Sequence, residues 1–160
     1  MSFEKDIILK QVKKDGLIIY GARSIQKHIG FVARSTRDYD IFSHSPKQSA
    51  TKLERNLDRK YGDIYFTKAA EHPVTWKVKD KGIDNKPNTK DDLEVADFTK
   101  PTRKVKTKII DGIKYTHLSE SVKDKKRAIK DPQYKFRHAK DKDDLRRIRF
   151  AKQNKIRWRK

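Results

Sequence analysis

Short apolar runs, separated by glycine, proline and charged residues, dominate the pattern of this chain. Residues 3–12 space their apolar positions as an amphipathic helix does, and the polar stretch 13–16 ends that helix. Residues 17–20 form a continuous apolar run that predicts a buried strand. Gly21 then predicts a tight turn, and 22–28 predict a short helix. The chain therefore begins with a helix, a strand, a turn and a second helix.

The middle of the chain predicts strands around one longer helix. Four segments rich in aromatic and β-branched residues predict strands: 38–42, 63–67, 74–78 and 93–98. After the first of them, Ser45 and Pro46 predict the N-cap and first residue of a helix, whose apolar positions keep helical spacing until Gly62. Residues 71–73 predict a turn, and 79–92 predict a loop because they have neither a period nor an apolar anchor.

The last third of the chain predicts a hairpin followed by two helices. Asp111-Gly112 favours a tight type I′ turn, Ser119 predicts a helix N-cap, and Pro132 interrupts the helical pattern. The predicted elements are strands at 105–110 and 113–118, a helix at 119–130 and a helix from 134 into the 150s.

These elements together predict an α/β (α+β) fold class, in which a mixed β-sheet is flanked by helices and the C-terminus is helical and basic. A chain of 160 residues is long enough for one domain with a modest core. We expect residues 1–118 to form the core and residues 119–160 to form basic helices packed on it. The sequence contains no cysteine, which excludes a disulfide framework and a thiolate metal site.

A formal net charge of +20 indicates a polyanionic partner, and nucleic acid is the natural one. Residues 123–160 concentrate this charge, with 17 lysine and arginine residues against five acids. An alternative interpretation is that a lysine-rich composition simply solvates this face. No apolar run approaches the roughly 20 residues needed to cross a bilayer, so we expect no membrane partner and a cytoplasmic or intracellular location.

Asp38 and Asp40 are the strongest candidates for chemistry. Alternate side chains of a strand share a face, so these two acids point the same way, with Cα atoms roughly 7 Å apart. Paired carboxylates of this kind suit a pair of Mg²⁺ ions, whose ligand shells substrate phosphates complete. Upstream, the N-terminus of the helix after Gly21 and the Ser24 hydroxyl could hold a triphosphate.

The order of these motifs resembles the nucleotidyltransferase superfamily that includes DNA polymerase β, in which a glycine turn precedes an Asp-x-Asp strand and a later strand supplies a third carboxylate. Asp97, between small and apolar neighbours, matches that third acid. The chain is most similar to the AbiEii-like toxin nucleotidyltransferases and their viral relatives. The matching motifs, across residues 15 to 150, are Gly21-Ala22, Arg34-Ser35-Thr36, Asp38-Tyr39-Asp40 and Lys140-Asp141-Lys142-Asp143-Asp144-Leu145.

The resemblance implies a Mg²⁺-dependent transfer of a nucleoside monophosphate from an NTP to an acceptor hydroxyl, at an RNA or tRNA 3′ end or on a protein. It implies metal ligation by Asp38, Asp40 and Asp97, with Asp97 alternatively activating the acceptor hydroxyl. The residues expected to contact the nucleotide are Gly21, Ala22, Arg23, Ser24, Arg34, Thr36, Lys126 and Lys140. Lys123, Lys125 and Arg127 are alternatives to Lys126, and Arg34 and Thr36 could instead orient the strand that carries the acids.

Two alternatives stay open at the level of sequence. The family usually has Gly or Ser where this chain has Ala22, which keeps the backbone amide but has no hydroxyl. A catalytically lapsed nucleotidyltransferase fold could therefore act as a nucleic-acid-binding or virion structural protein. The chain could also be a general basic RNA-binding protein whose acids are incidental. The resemblance further raises an antitoxin or virion partner, and the positive charge favours RNA over a cationic small-molecule acceptor.

Overall fold

A seven-stranded mixed sheet lies at the centre of the computed structural model, which describes residues 4–71 and 74–154. The strands are β1 (Ile18–Tyr20), β2 (Tyr39–Phe42), β3 (Tyr65–Ala69), β4 (Thr75–Asp80), β5 (Leu93–Thr99), β6 (Thr107–Ile110) and β7 (Ile113–Thr116). Their order across the sheet is β3-β4-β5-β2-β1-β7-β6. The pairs β2–β5 and β1–β7 are parallel and the other four are antiparallel. The predicted fold class, a mixed sheet flanked by helices, is confirmed.

In the part of the chain that the structure describes, five α-helices surround the sheet: α1 (Lys5–Asp15), α2 (Gly21–Ile29), α3 (Pro46–Tyr61), α4 (Leu118–Lys130) and α5 (His138–Gln153). Two short 3₁₀ helices, Gly30–Val32 and Pro132–Arg137, precede β2 and α5. Among the described residues, none of these helices combines the length and the apolar character needed to span a bilayer.

Two hydrophobic clusters hold these layers together. The larger one joins the sheet to α1 and α3 through residues such as Ile8, Ile41 and Leu53, each at most 1% exposed. The smaller one joins α2 to α5 through Ile25, Ile29, Ile148 and Ala151. Burying each isoleucine or leucine side chain of these clusters contributes about 1.5–3 kcal/mol. Because α2 follows β1 directly, the smaller cluster fixes α5 beside the end of that strand.

Local chemistry explains where several elements begin and end. Asp111 and Gly112 both have positive φ, 55° and 79°, as a type I′ turn requires, so the predicted hairpin is confirmed. The N-cap of α4 is His117 and not Ser119, because the His117 Nδ1 atom accepts a hydrogen bond from the Ser119 amide. Residues 132–137 form a 3₁₀ helix, so α5 begins at His138, later than predicted. The predicted turn at 71–73 lies partly outside the described residues.

Candidate active site

Three aspartates meet where β1, β2 and β5 run side by side. The parallel register of β2 and β5 pairs Asp40 with Asp97, and β1 places Tyr20 opposite Asp40 on the other side. Asp38 lies one residue before β2, two positions from Asp40. Each of the three carboxylates contributes an oxygen to a group whose atoms all lie within 4.8 Å of one another. The sheet register thus brings together acids that are far apart in sequence.

Gly21 allows this close arrangement. The residue has a φ of +70°, a left-handed conformation that favours glycine, and it begins α2 directly after β1. A Cβ atom at this position would lie 2.5 Å from the Asp40 Oδ2 atom. Only a residue without a side chain therefore lets the chain turn past Asp40 while that carboxylate keeps its position.

Burial and mutual repulsion raise the pKa values of two of the acids. Burial, together with the charges of Asp38 and Asp97, raises the pKa of Asp40 to about 7. Burial also raises the pKa of Asp97 to about 6, although the positive charge of Lys77 opposes that rise. Carboxylates that are crowded in this way repel each other, and a bound cation would relieve the repulsion. The electrostatics of the group therefore fit a metal centre.

The surroundings of Asp97 support the same conclusion. Its side chain is 18% exposed, and its Oδ1 atom is buried with no hydrogen-bond partner among the described residues. A buried carboxylate oxygen without a partner is costly, so a ligand for that atom is expected. Lys77 lies 3.8 Å from the other oxygen of Asp97 and 2.7 Å from Glu94, and its ammonium group partly balances the local negative charge.

Thr36 and Arg23 hold the Asp38 segment in place. The Thr36 hydroxyl donates to the Asp38 carboxylate at 3.2 Å. Arg23 donates to the backbone carbonyls of Arg37 at 2.6 Å and Asp38 at 3.3 Å, and its guanidinium lies 4.2 Å from the centre of the Tyr39 ring. These contacts give Arg23 a positioning role, which differs from the nucleotide contact expected from the sequence.

Ser24 is fully buried, so its hydroxyl faces the protein interior. It donates to the Thr116 carbonyl at 2.9 Å and accepts from the Thr116 hydroxyl at 3.0 Å. These two hydrogen bonds connect α2 to the end of β7, and they occupy the Ser24 hydroxyl as donor and as acceptor. Gly21 and Ala22, by contrast, line the cleft beside the acids. Any phosphate contact at this turn therefore comes from the first residues of α2 and not from Ser24.

The acids form the floor of a cleft of about 510 Å³. Tyr20, Phe42 and Thr99 line one side of it, with the Tyr20 and Phe42 rings stacked at 3.9 Å and the Tyr20 hydroxyl donating to Thr99 at 3.1 Å. Residues from α4, from the 3₁₀ helix before α5 and from α5 line the opposite side. A cleft between the central strands of the sheet and two basic helices suits an anionic substrate.

A network of buried charges organises the helical side of the cleft. The Lys125 ammonium group, 10% exposed, lies 3.0 Å from Asp141 and 2.9 Å from Asp144. Arg34 makes a two-point contact with Asp144, and Arg137 makes one with Asp141. Burial raises the pKa of Asp144, but the hydrogen bonds from Arg34 and Lys125 outweigh burial and hold that pKa below its usual range. The network locks α4 and α5 to the segment before β2.

The predicted basic residues differ in where they lie. Lys140 and Arg34 line the cleft, as expected from the sequence. Lys126 lies instead in a groove on the other side of α4. Its neighbour Lys125 lines the cleft that contains the three aspartates. Consecutive helical residues point about 100° apart, so an error of one residue moves a side chain to another face.

Lys77 and Arg137 line the cleft but were not predicted from the sequence, and Lys125 was predicted only as an alternative to Lys126. One feature could have indicated Lys77: it lies two positions after Thr75 in β4, so the two side chains share a face of the sheet, and both line the cleft. Arg137 and Lys125 carried no such signal, because basic residues are abundant throughout residues 123–160.

Comparison with known proteins supports this description at the level of the fold. The sequence matches no protein-family model and no curated protein at a significant level. The structure of the Megavirus polyadenylate synthase is similar to this chain, with a TM-score of 0.73 and 24% identity over 91% of this chain and 30% of the Megavirus chain. The structure of JHP933 from Helicobacter pylori has a TM-score of 0.51 and 9% identity, over 82% of this chain and 56% of that protein.

This chain therefore spans less than two thirds of the length of either protein. The expected resemblance to the nucleotidyltransferase superfamily is confirmed for the fold, and the narrower resemblance to AbiEii-like toxins stays a prediction. On the strength of these structural likenesses, the chain has the nucleotidyltransferase fold and is similar in structure to a viral polyadenylate synthase.

Proposed function

We propose that this protein is a nucleotidyltransferase, which moves a nucleoside monophosphate from an NTP to an acceptor hydroxyl. The observation that carries the proposal is the group of Asp38, Asp40 and Asp97, whose oxygens lie within 4.8 Å of one another on the floor of a cleft. These carboxylates are the donor set that Mg²⁺ takes together with substrate phosphates. Bound Mg²⁺ would neutralise the negative charge that develops on the transferred and leaving phosphates.

In the proposed reaction, the acceptor oxygen attacks the α-phosphorus of the NTP. The bond to the oxygen that bridges the α- and β-phosphates breaks, and pyrophosphate leaves. Asp97 is proposed either to complete the ligand set or to take the proton of the acceptor hydroxyl, because its Oδ1 atom is buried with no hydrogen-bond partner among the described residues.

The first turn of α2 and the helical side of the cleft are the proposed contacts of the triphosphate. Gly21 and Ala22 line the cleft at the start of α2, where free backbone amides and the helix dipole favour anions. Lys140 lines the same cleft and has no ion-pair partner among the described residues. Arg34 and Lys125 act through the buried network with Asp144, which keeps α5 and Lys140 in position.

RNA is the proposed acceptor. The net charge of +20 attracts polyanions and repels a cationic small molecule, so RNA is favoured over an antibiotic of the aminoglycoside type. The similar Megavirus protein is named a polyadenylate synthase, and polyadenylate is a polynucleotide. A protein hydroxyl is the other acceptor that the assay below detects.

The test is transfer of radioactivity from each α-labelled NTP in turn, with Mg²⁺ and total RNA. The Asp38→Ala/Asp40→Ala protein removes the proposed metal site. The matched control is Asp15→Ala/Asp63→Ala, which removes the same charge from two acids that do not line the cleft.

Label in RNA that depends on Asp38 and Asp40, and survives in the control, supports the proposal and identifies the nucleotide. Label in protein would support the transfer chemistry but contradict RNA as the acceptor. No label in either, with RNA binding intact, contradicts the proposal and favours the catalytically lapsed alternative.

A further inference from the structure

A second concave surface lies on the other side of α4 from the cleft. This surface, which we call the α4–α5 groove, has a volume of about 570 Å³. Its lining residues are Val122, Lys126, Lys142, Leu145, Arg146, Ile148, Arg149, Lys152 and Gln153. Five of the nine are basic and none is acidic. The groove is therefore more uniformly positive than the cleft, which holds several acids.

Each acidic residue of α4 and α5 forms an ion pair with a basic residue that does not line the groove. Asp141 and Asp144 face the buried Lys125, Asp143 pairs with Arg147 at 2.9 Å, and Glu120 pairs with Arg103 at 2.6 Å. Asp124 pairs with Arg127. By contrast, none of the five groove cations has an ion-pair partner among the described residues. The acidic side chains of α4 and α5 thus lie outside the groove, and the basic side chains that line the groove are unpaired among the described residues.

The spacing of the cations suits an extended phosphate chain. Lys142, Arg146 and Arg149 follow one another at four and three residues, so they share one face of α5. From Lys142 to Lys152 the helix rises about 15 Å, which is long enough to lie beside several phosphates of a strand. The helices are fixed to each other, since Ile148 belongs to the smaller core cluster and Val122 packs against it.

The groove and the cleft are built from the same two helices. Lys140 lines the cleft and Lys142, two residues later on α5, lines the groove. On α4, Lys125 lines the cleft and Lys126 lines the groove. Residues that line the two surfaces thus lie within two positions of each other on both helices.

From these observations we infer that the α4–α5 groove binds the phosphate backbone of the acceptor RNA, and that the strand continues from it into the cleft. The inference rests on the proposed function for the identity of the acceptor. Arginine and lysine side chains bind phosphates through charge-assisted hydrogen bonds, and each contact releases counterions from the nucleic acid. Binding in the groove is thus sensitive to salt and independent of the three aspartates.

The test measures binding of a short fluorescent single-stranded RNA by anisotropy at several salt concentrations, without NTP. The groove variant is Lys142→Ala/Arg146→Ala/Arg149→Ala. The matched control is Lys47→Ala/Arg55→Ala/Arg59→Ala, which removes three exposed cations from a concave face of α3. We expect the groove variant to bind about tenfold more weakly or worse, with a salt slope less steep by about 2, because each phosphate contact contributes about 0.7 to that slope.

Equal losses in the two variants would overturn the inference, since general charge would then explain binding. Loss of binding to phosphatidylserine vesicles in the groove variant, with RNA binding unchanged, would overturn it in favour of a membrane surface. Because RNA binding is measured without NTP, this result stays interpretable if the transfer assay fails, and a failure here leaves the transfer assay interpretable.

Discussion

Gly21 and Asp40 are so close that a single methyl group at position 21 would lie 2.5 Å from the Asp40 carboxylate. Gly21 directly follows β1, and Asp40 lies on the antiparallel neighbour β2, where it pairs with Tyr20. The glycine turn and the acid are therefore one structural unit. A change at either residue has consequences for the other.

Gly21→Ala tests this relationship. We expect a loss of about 2–4 kcal/mol in the free energy of unfolding, because the left-handed φ and the close contact both oppose the new side chain. We also expect a loss of nucleotidyl transfer, because Asp40 must move. Chemical denaturation and the transfer assay measure the two effects.

Gly16→Ala is the matched control. Gly16 has a similar φ of +64°, but nothing lies within 4 Å of the added Cβ atom. That variant should lose only about 1 kcal/mol and keep its activity. Equal effects of the two substitutions would show that backbone strain alone, and not the contact with Asp40, makes Gly21 necessary.

Lys125→Ala should destabilise the protein by about 2–4 kcal/mol, because it leaves Asp141 and Asp144 buried with only part of their compensating charge. Lys126→Ala, one residue later and exposed in the α4–α5 groove, should change stability by less than about 0.5 kcal/mol. Urea denaturation of both variants provides the measurement. If Lys126→Ala were the more damaging change, the orientation described for α4 would be wrong.

The raised pKa of Asp40 makes stability depend on pH. The folded protein holds this proton until about pH 7, whereas an unfolded chain releases it near its ordinary value of 3.8. The folded state therefore binds more protons between these values, and the free energy of unfolding falls as pH rises from about 4 to 7. Asp40 contributes at most about 4 kcal/mol to this fall, since one pKa unit corresponds to about 1.36 kcal/mol, and Asp97, whose pKa is raised to about 6, adds to it.

Asp40→Asn removes that ionisation. In buffer with EDTA, thermal unfolding across this pH range should show a smaller decline for Asp40→Asn than for the unchanged protein. Asp63→Asn, at an exposed acid, should keep the full decline. An unaltered decline in Asp40→Asn would mean that other groups cause it.

Mg²⁺ should stabilise the protein through the three aspartates. A ligand at a hundred times its Kd adds about 2.7 kcal/mol to the free energy of unfolding. We expect an increase in the melting temperature with Mg²⁺ or Mn²⁺ and its reversal by EDTA. Asp38→Ala should abolish that increase, whereas Asp15→Ala should retain it. An equal increase in both variants would place the cation elsewhere.

Much of the fold could be predicted from the sequence because local signals were strong. Apolar spacing identified α3 between Ser45 and Gly62, and Asp111-Gly112 identified the β6–β7 hairpin. Asp38 and Asp40 could be predicted for a related reason, since two residues at this spacing in a strand lie on the same face of the sheet. Asp97 required the resemblance to known proteins, because the β2–β5 register that pairs it with Asp40 is a long-range property.

The basic and hydroxyl residues could not be assigned in the same way. Ser24 has the residue type and position of a phosphate ligand, yet its hydroxyl is buried against Thr116, and only the packing of α2 on β7 decides that. Lys125 and Lys126 are the same residue type at adjacent positions, so only the orientation of α4 distinguishes them. Tertiary packing, and not local pattern, determines the roles of these side chains.

The central claim is that the aspartate group catalyses nucleotidyl transfer, and the rate of pyrophosphate release by Asp40→Asn tests it most directly. With NTP, Mg²⁺ and RNA, we expect this rate to fall about a thousandfold or more, which corresponds to about 4 kcal/mol of transition-state stabilisation. Circular dichroism should show an intact fold, and Asp63→Asn should release pyrophosphate at the unchanged rate. A folded Asp40→Asn protein that releases pyrophosphate as fast as the unchanged protein would contradict the account.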